Sequence, residues 1–539
     1  MMAGPLEQDS SMMAENGEAK PQVVEASIRP AYRLLIIAGL ALMVVLGYVI
    51  IAGVADKAGY PLDDSWIHQT YARNLARSGR WEFVPGIASV GSTAPLWTIL
   101  LSLGYLIRLP HIFLTTLLGW LCLTWTGWGA MRLWTAMWPN RRKQDWIIGI
   151  VLVLSWPLIW AAASGMETLL FIALSFEIFC QYSQYRSEKK RRTLVLGILA
   201  GLLVLVRPEG LGVLILILVG LVLQAGDWRL KFRDMGLVIA GAALPLAPYF
   251  SVNVLISGTI WPNTFYAKQV EYASVFAQSI FVRFIKLLYF SFGGPSEGWR
   301  GISAAHLVLL PGSILAAVNA LKYDWSHKRV FRTMPLLWAT GLVFVYAWRL
   351  PVTYQHGRYL FPAVPIWIMY GLAGWLEIFS LLKTRFGAES RTYFVLSRIG
   401  FLTLGVLLLI FIFLGLQVFV QDVSFVNGEM VAVGHWIEEN TPQDSLIAAH
   451  DIGAIGYFGE RAILDLAGLI TPEVIPYLSD EQAVNDYLLQ GDADYLVTAP
   501  GWMYEPFTQG ENTMFVYSTD YAWTREQGVN NMEVYSITR

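Results

Sequence analysis

Residues 63–83 read DDSWIHQTYARNLARSGRWEF, and they come shortly after a long apolar run, LLIIAGLALMVVLGYVIIAGVA, at 34–55. The two stretches together decide the fold class. The apolar run exceeds the ~20 residues needed to cross a bilayer and lies too far behind the N-terminus for a signal-peptide core, so it reads as an uncleaved first span. Two adjacent carboxylates at the mouth of a span are costly unless they face water, a cation or a substrate. Asp63 and Asp64 are therefore the first candidates for function, with a solvated loop cap as the structural alternative. Beyond them, Trp66, Ile67, Tyr71 and Leu75 recur at helical spacing, with His68, Arg73 and Arg77 on other faces. That pattern predicts an amphipathic helix lying flat on the membrane surface. Both acids fall at its N-terminus, where the helix dipole favours the ionised form that a general base or a divalent-cation ligand needs.

Composition agrees with a polytopic α-helical membrane protein. Of 539 residues, 55% are hydrophobic and only 14% charged, and mean hydropathy is +0.49, more apolar surface than a soluble core can hide. The net charge of -2 gives no footing for nucleic-acid binding. Cys122 and Cys180 lie inside apolar runs and read as buried thiols, not as a disulfide or metal pair. Residues 1–30 are polar and acidic without hydrophobic period, which predicts a disordered cytoplasmic tail.

Five basic clusters punctuate the chain: Arg141 to Lys143; Arg186 with Lys189 to Arg192; Arg229, Lys231 and Arg233; Lys322, Lys328, Arg329 and Arg332; and Lys383, Arg385, Arg391 and Arg398. Placing all five in the cytoplasm satisfies the positive-inside rule and sets the parity of every crossing. The short runs 95–107 and 279–292 then become re-entrant or interfacial helices. About eleven spans remain, near 33–55, 111–138, 146–164, 167–185, 193–207, 209–224, 235–257, 301–320, 334–350, 359–381 and 399–420. Residues 31–420 form the membrane domain and 421–539 an extracytoplasmic domain. In that tail the strand-like runs SLIAA, AILDL and DYLVTA alternate with helical VNGEMVAVGHWIEEN and DEQAVNDYLLQ and a turn-rich HDIGAIGYFGE, which predicts a small α/β domain with a partly parallel sheet. Asp492 and Asp494 are assigned to a turn.

This topology gathers unusual polar residues on one side. Asp63 and Asp64, Glu167 in SGMET, Arg207 and Glu209 in RPEG, Asn263 and Lys268 in WPNTFYAK, and His356 and Arg358 in YQHGRY all come out external. Taken singly, each has a structural alternative: RPEG as a kink with Arg207 paired to Glu209, Glu167 as a helix-start acid, Lys268 and Arg358 as snorkelling cations. The convergence of separate segments points to an active site, with Asp63, Asp64 and Glu167 as catalytic acids. His68, Arg73, Arg207, Glu209, Asn263, Lys268, His356 and Arg358 are the candidate substrate-binding groups.

The motifs also carry a resemblance. DDSWIHQTYARNLARSGRWEFVPG followed by STAPLWT, together with SGMET, VRPEG, PNTFYAK, HGRY and HDIGAIGYFGERAILDLAGL, resembles the GT-C fold glycosyltransferases that use polyprenyl-phosphate sugars. The likeness is nearest to the terminal arabinofuranosyltransferase branch and its uncharacterised bacterial relatives. It implies an enzyme of the plasma membrane that moves a sugar from a polyprenyl-phosphate donor to a hydroxyl of a glycan, lipid or protein acceptor. Asp63 or Asp64 would be the base, Glu167 the second acid, and Arg207, Lys268 and Arg358 the phosphate partners. The chemistry suits the residues: a lipid phosphate is already a leaving group, so a carboxylate base and positive charge suffice, and in-line attack inverts the anomeric centre. No cofactor is required, although Asp63 and Asp64 are ligands that would suit Mg²⁺, Mn²⁺ or Ca²⁺. Trp81 and Trp97 are candidate faces for a sugar ring. A lipid-linked sugar transporter or flippase is the alternative, but it would place its ionisable groups near the midplane on repeated halves.

Overall fold

The computed structural model describes residues 30–185, 189–271, 276–292 and 307–538. The expected N-terminal tail up to residue 29, Arg186 and the first residues of the 301–320 segment lie outside the described residues. In chain order the helices are α1 (Pro30–Ala55), α2 (Asp63–Ser78), α3 (Pro95–Leu106), α4 (His111–Met137), α5 (Asp145–Val153), α6 (Trp156–Ala163) and α7 (Thr168–Ser183). Next come α8 (Lys190–Val206), α9 (Gly210–Leu223), α10 (Trp228–Ser257), α11 (Asn263–Glu271), α12 (Ile280–Ser291), α13 (Leu310–His327) and α14 (Met334–Arg349). The last group is the single turn α15 (Tyr354–Gly357), then α16 (Val364–Phe386), α17 (Arg391–Val426), α18 (Ala432–Asn440), α19 (Gly453–Gly459) and α20 (Glu481–Gln490).

Every segment expected to span falls on a helix, but not all have spanning length. Among the described residues six stretches, 31–55, 111–137, 228–257, 307–327, 354–386 and 391–440, are long and apolar enough to cross, and α5 with α6, bent by 55° at their break, would make a seventh. The remaining four, α7, α8, α9 and α14, run only 14 to 17 residues. Length alone thus supports six or seven spans where eleven are expected. Residues Leu35 and Met43 on α1, Leu244 and Leu255 on α10, and Leu402 and Phe413 on α17 stay exposed, an apolar exterior that suits hydrocarbon and not water. The two short helices α3 and α12, 12 residues each, stand where non-spanning helices are expected.

The C-terminal region holds a five-stranded sheet, β1 (Leu446–Ala449), β2 (Ala462–Asp465), β3 (Tyr495–Thr498), β4 (Thr513–Ser518) and β5 (Glu533–Ile537), in the order β2-β1-β3-β5-β4. β1 runs parallel to β2 and β3, while β5 is antiparallel to β3 and β4. The three expected strand runs are the three parallel strands. Asp494 accepts from the Leu446 amide at 2.8 Å, a structural bond in keeping with its turn assignment. The stretch expected to be turn-rich contains α19 instead, and its glycines at 453 and 456 let it pack against neighbours at a range no side chain would allow. The sheet is not joined to the membrane helices by a linker: α17 continues through residues 427–431 into α18 as one helix. At that junction the fully buried Glu429 accepts from Thr519 Oγ1 at 2.5 Å, Asn531 Nδ2 at 2.8 Å and the Met532 amide at 2.8 Å.

The surface-lying α2 is the main correction to the sequence reading. Residues Ser65 to Asn74 are all buried, polar and apolar alike. Trp66, Ile67, Tyr71 and Phe83 share one apolar core with Val433, Ile437, Ile447 and Ile455 of the tail, and the other side of α2 packs on α3. The helix is a filling between two layers, so its polar faces are covered by protein.

Candidate functional site

A cavity of about 620 Å³ opens where the starts of α2, α7, α9 and α11 meet the ends of α14 and α15. Among the described residues four cations line it, Arg207, Lys268, Arg349 and Arg358, against three carboxylates, Asp64, Glu167 and Glu209. The lining therefore carries one positive charge in excess.

Each charged group is set by a break in regular structure. Gln355, His356 and Gly357 have φ of 51°, 61° and 66°, a left-handed turn that reverses the chain between α14 and α16. At Gly357 a Cβ would sit 2.2 Å from the Phe290 ring, so only glycine fits. Arg358 follows directly and its Nη2 donates to Asp64 Oδ2. Lys268, on α11, donates from Nζ to Tyr359 Oη at 2.9 Å. Asp64 retains 32% side-chain exposure, toward the cavity. Burial alone would raise its pKa, but Arg358 and then Lys268 outweigh this and hold the carboxyl well below the usual range. The Lys268 ammonium is held above its ordinary value: burial works against it, but Tyr359, Tyr354 and Asp64 prevail.

Arg207 is engaged differently. Pro208 stops α8, and Arg207 donates to Glu167 Oε1 at 3.2 Å, to Glu209 Oε1 at 2.9 Å and to Tyr346 Oη at 3.0 Å. The pairing with Glu209 expected as a structural alternative is present, and Glu167 joins it. Glu167 still has a free oxygen. Its Oε2 is buried with no hydrogen-bond partner, 3.6 Å from His68 Nε2, and Arg358 Nε is likewise buried without a partner. The His68 imidazole is held below its usual pKa by burial, which Glu167 and Asp64 oppose, so it is neutral near pH 7. Its Nδ1 lies 3.3 Å from Thr98 Oγ1 and 3.5 Å from Ser92 Oγ.

Other expected site residues stand elsewhere. Asp63 points away from the cavity and accepts the backbone amides of Gly453 and Ala454, both at 2.7 Å. Its pKa is pushed up to about 7 by burial and by Asp451, against the pull of the two amides, the reverse of the ionised helix-start acid expected. Arg73 donates to the Tyr457 carbonyl at 2.8 Å and to Glu460 at 3.1 Å and lies over the Tyr457 ring, so it ties α2 to α19. His356 pairs with Asp422 at 2.9 Å, and Asp422 also accepts from Trp160. Asn263 starts α11, where its amide is bonded to the Val90 carbonyl at 3.1 Å, and the neighbours Thr264 and Phe265 face the cavity in its place. Trp97 is buried with its indole on the Gly165 carbonyl, and Trp81 packs on Tyr71, while Trp160, Trp261, Trp338 and Trp348 line the cavity. Sequence reasoning missed Arg349, which lies at the end of an apolar run, and Tyr346, which lies inside that run and reads there as apolar filler.

The residues present do not fit a divalent cation shared by Asp63 and Asp64. One carboxylate is taken by helix amides and the other by Arg358, and they face different neighbours. Among the described residues no three His, Cys, Asp or Glu side chains are placed to hold one metal ion. Cys122 and Cys180 are free and buried.

Comparison with known proteins bears on the architecture. A family model described as a domain of unknown function (DUF8728) matches residues 421–535, and no curated protein matches in sequence. Among solved structures, the oligosaccharyltransferase AglB from Archaeoglobus fulgidus, in complex with an inhibitory peptide and a dolichol-phosphate, aligns with a TM-score of 0.57 at 12% identity over 88% of this chain and 70% of that one. The same organism's oligosaccharyltransferase in complex with Zn and sulfate aligns at 0.53 and 11%, over 86% and 68%. ArnT from Cupriavidus metallidurans, bound to undecaprenyl phosphate, aligns at 0.54 and 14%, over 94% and 98%. At such identities the likeness establishes architecture: this chain has the GT-C membrane fold that its DDSW, RPEG and HGRY motifs resemble.

Proposed function

We propose that the chain is an integral membrane glycosyltransferase that moves a sugar from a polyprenyl-phosphate donor to an acceptor hydroxyl on the extracytoplasmic face, with inversion. The observation that carries this reading is the cavity's single excess positive charge beside an apolar wall. Lys268, Arg349 and Arg358 sit at one end, and Ile215, Leu216, Leu337 and Val345 of α9 and α14 continue from it. A phosphodiester monoanion on an isoprenoid chain matches both halves. Arg207, held by two carboxylates, is a structural cation, while Lys268 and Arg358 are the phosphate partners.

Asp64 is the base. The acceptor oxygen attacks the anomeric carbon as its proton passes to the Asp64 carboxylate. The bond from that carbon to the phosphate oxygen breaks, and the electron pair stays on the lipid phosphate, where Lys268 and Arg358 stabilise it. A donor phosphate that draws Arg358 and Lys268 toward itself relieves the charge that depresses the Asp64 pKa. The base is thereby strengthened only when donor is bound. Glu167 lines the cavity beside the neutral His68 and pairs with Arg207, which makes it the second acid of the site.

Sidedness follows from α16. Arg358 precedes its first turn, whereas Arg141 pairs with Glu377 toward its other end, near the Arg33 to Asp145 bond at 2.8 Å. Arg141 and the cavity thus lie toward opposite ends of α16, and with the positive-inside rule this supports reading the cavity as external. On this reading the chain crosses the plasma membrane about eleven times, α7, α8, α9 and α14 crossing with their ends sheltered by protein, and residues 421–539 form an extracytoplasmic domain.

Transfer assays with purified protein and a panel of polyprenyl-phosphate pentoses and hexoses test the chemistry. Activity with one member, lost in Asp64→Asn while undecaprenyl phosphate still binds, is expected; a fully active Asp64→Asn rejects the assignment. For topology, a single cysteine in Arg142→Cys should resist labelling from outside intact cells. Labelling there overturns the sidedness.

A further inference from the structure

Asp63 plays no part in the cavity, yet it is the residue that precedes the proposed base. Its two oxygens accept from successive amides at the start of α19, Gly453 to Oδ2 and Ala454 to Oδ1, both at 2.7 Å. The approach is close enough to exclude a side chain at 453. A Cβ there would lie 2.1 Å from the Asp63 carbonyl oxygen and 2.7 Å from its carboxylate. Further along, Arg73 reaches the Tyr457 carbonyl and Glu460, and the Trp66 ring packs on Tyr457 and Phe458 with centroids 4.9 and 4.7 Å apart. The tail thus grips α2 along its first three turns, starting at the first residue.

The grip matters because α2 does not secure its own start. Leu62 is its N-cap, with no side-chain oxygen to satisfy the first amides, and a helix start without a cap frays readily. Three external bonds hold the turn instead: Ser65 Oγ donates to the Ser164 carbonyl at 2.7 Å on the membrane-domain side, and Asp63 accepts two α19 amides on the other. Asp64 lies between them. Adjacent residues on a helix point about 100° apart, so the two carboxylates leave the same turn toward different neighbours, and a displaced Asp63 backbone carries the Asp64 Cα with it.

From this geometry we infer that Asp63 is a positioning residue: by binding the α19 amides it locks the first turn of α2 and sets the Asp64 carboxylate in the cavity, which makes the tail a working part of the catalytic site. The inference rests on the reading of Asp64 as base. It assigns the two adjacent acids to one function through different means, and gives the tail a task in that function.

The test uses full-length protein in nanodiscs and the polyprenyl-phosphate sugar that wild type turns over. Asp63→Asn removes the acceptor for one amide; Gly453→Ala pushes α19 and Asp63 apart without changing either acid. Both should lower kcat by about 10- to 100-fold, as small misplacements of a catalytic group do, with undecaprenyl phosphate affinity unchanged and faster hydrogen exchange at the 453 and 454 amides. Asp63→Glu should recover more kcat than Asp63→Asn. Wild-type kcat in Gly453→Ala with exchange accelerated at α19 overturns the inference. So does an inactive Asp63→Asn beside a fully active Gly453→Ala, which makes Asp63 the base itself. Loss of folded protein in one variant leaves the other to decide. Full activity in Asp64→Asn is a separate failure, that of the underlying reading, and Gly453→Ala cannot produce it.

Discussion

The two faces of α2 treat neighbouring carboxylates in opposite ways. Toward the tail, Asp63 meets neutral backbone amides and a second acid, Asp451, and its pKa is pushed up to about 7. Toward the cavity, Asp64 meets Arg358 and Lys268 and is held well below the usual range. Burial raises both, so the difference comes from positive charge beside Asp64 and a second acid beside Asp63. Adjacent acids in a sequence thus need not be equivalent, and the one beside the cations of an open cavity is the one a substrate can reach. The largest expected effect separates them: Asp64→Asn should reduce kcat by about 10²- to 10⁴-fold, the usual value of a general base, well beyond the loss in Asp63→Asn. Equal losses under identical assay conditions break the comparison.

A second contrast lies within the cavity wall, between a cation already neutralised and one still available. Arg207 is nine-tenths buried and bonded to Glu167, Glu209 and Tyr346. Arg207→Met leaves two buried carboxylates without their cation, a loss of about 3–5 kcal/mol, visible as a lower unfolding temperature and poor recovery of monodisperse protein. Lys268 has a phenol as its hydrogen-bond partner. Lys268→Met should spare stability and cut kcat about 100-fold by removing one stabiliser of the leaving phosphate. Stable but inactive Arg207→Met, with Lys268→Met active, would exchange their roles.

Much of this was legible from residue order. DDSW, SGMET, RPEG, WPNTFYAK and HGRY stood out as polar groups at the ends of apolar runs, and Asp64, Glu167, Arg207, Glu209, Lys268 and Arg358 do line one cavity. The three parallel strands were equally plain, since short apolar runs flanked by turns are a local pattern. What could not be read is contact between distant segments. The α2 pattern is amphipathic in isolation, and its polar residues are covered by α3 and neighbouring loops on one side and by α19, nearly four hundred residues away, on the other. His356 and Arg73 carry the residue types of a site, yet their partners, Asp422 and Glu460, are set by tertiary packing. The glycines of α19 read as turn formers because their use is close approach between helices, which has no local signature.

The smallest expected effect concerns pH. An unfolded aspartate titrates near its ordinary value of about 4, whereas Asp63 in the folded chain does so at about 7. Between those values the native chain keeps a proton that the unfolded chain has released. The stabilisation from this group is complete below about pH 4 and is lost as pH rises through about 7. Asp465, buried beyond β2 and pushed up to about 6, acts in the same direction over a lower range. His68 opposes them, because its depressed pKa makes stability rise with pH up to its ordinary value near 6.5. Asp64, held low, titrates beneath the whole window. The raw slope of unfolding temperature between pH 5 and 8 therefore mixes signs, and the difference between wild type and Asp63→Asn isolates one group. That difference should change by a few degrees across pH 5 to 8, with wild type losing ground as pH rises. A difference that is flat, or that grows in favour of wild type at high pH, would mean that Asp63 is ionised throughout and that the two faces of α2 are electrostatically alike.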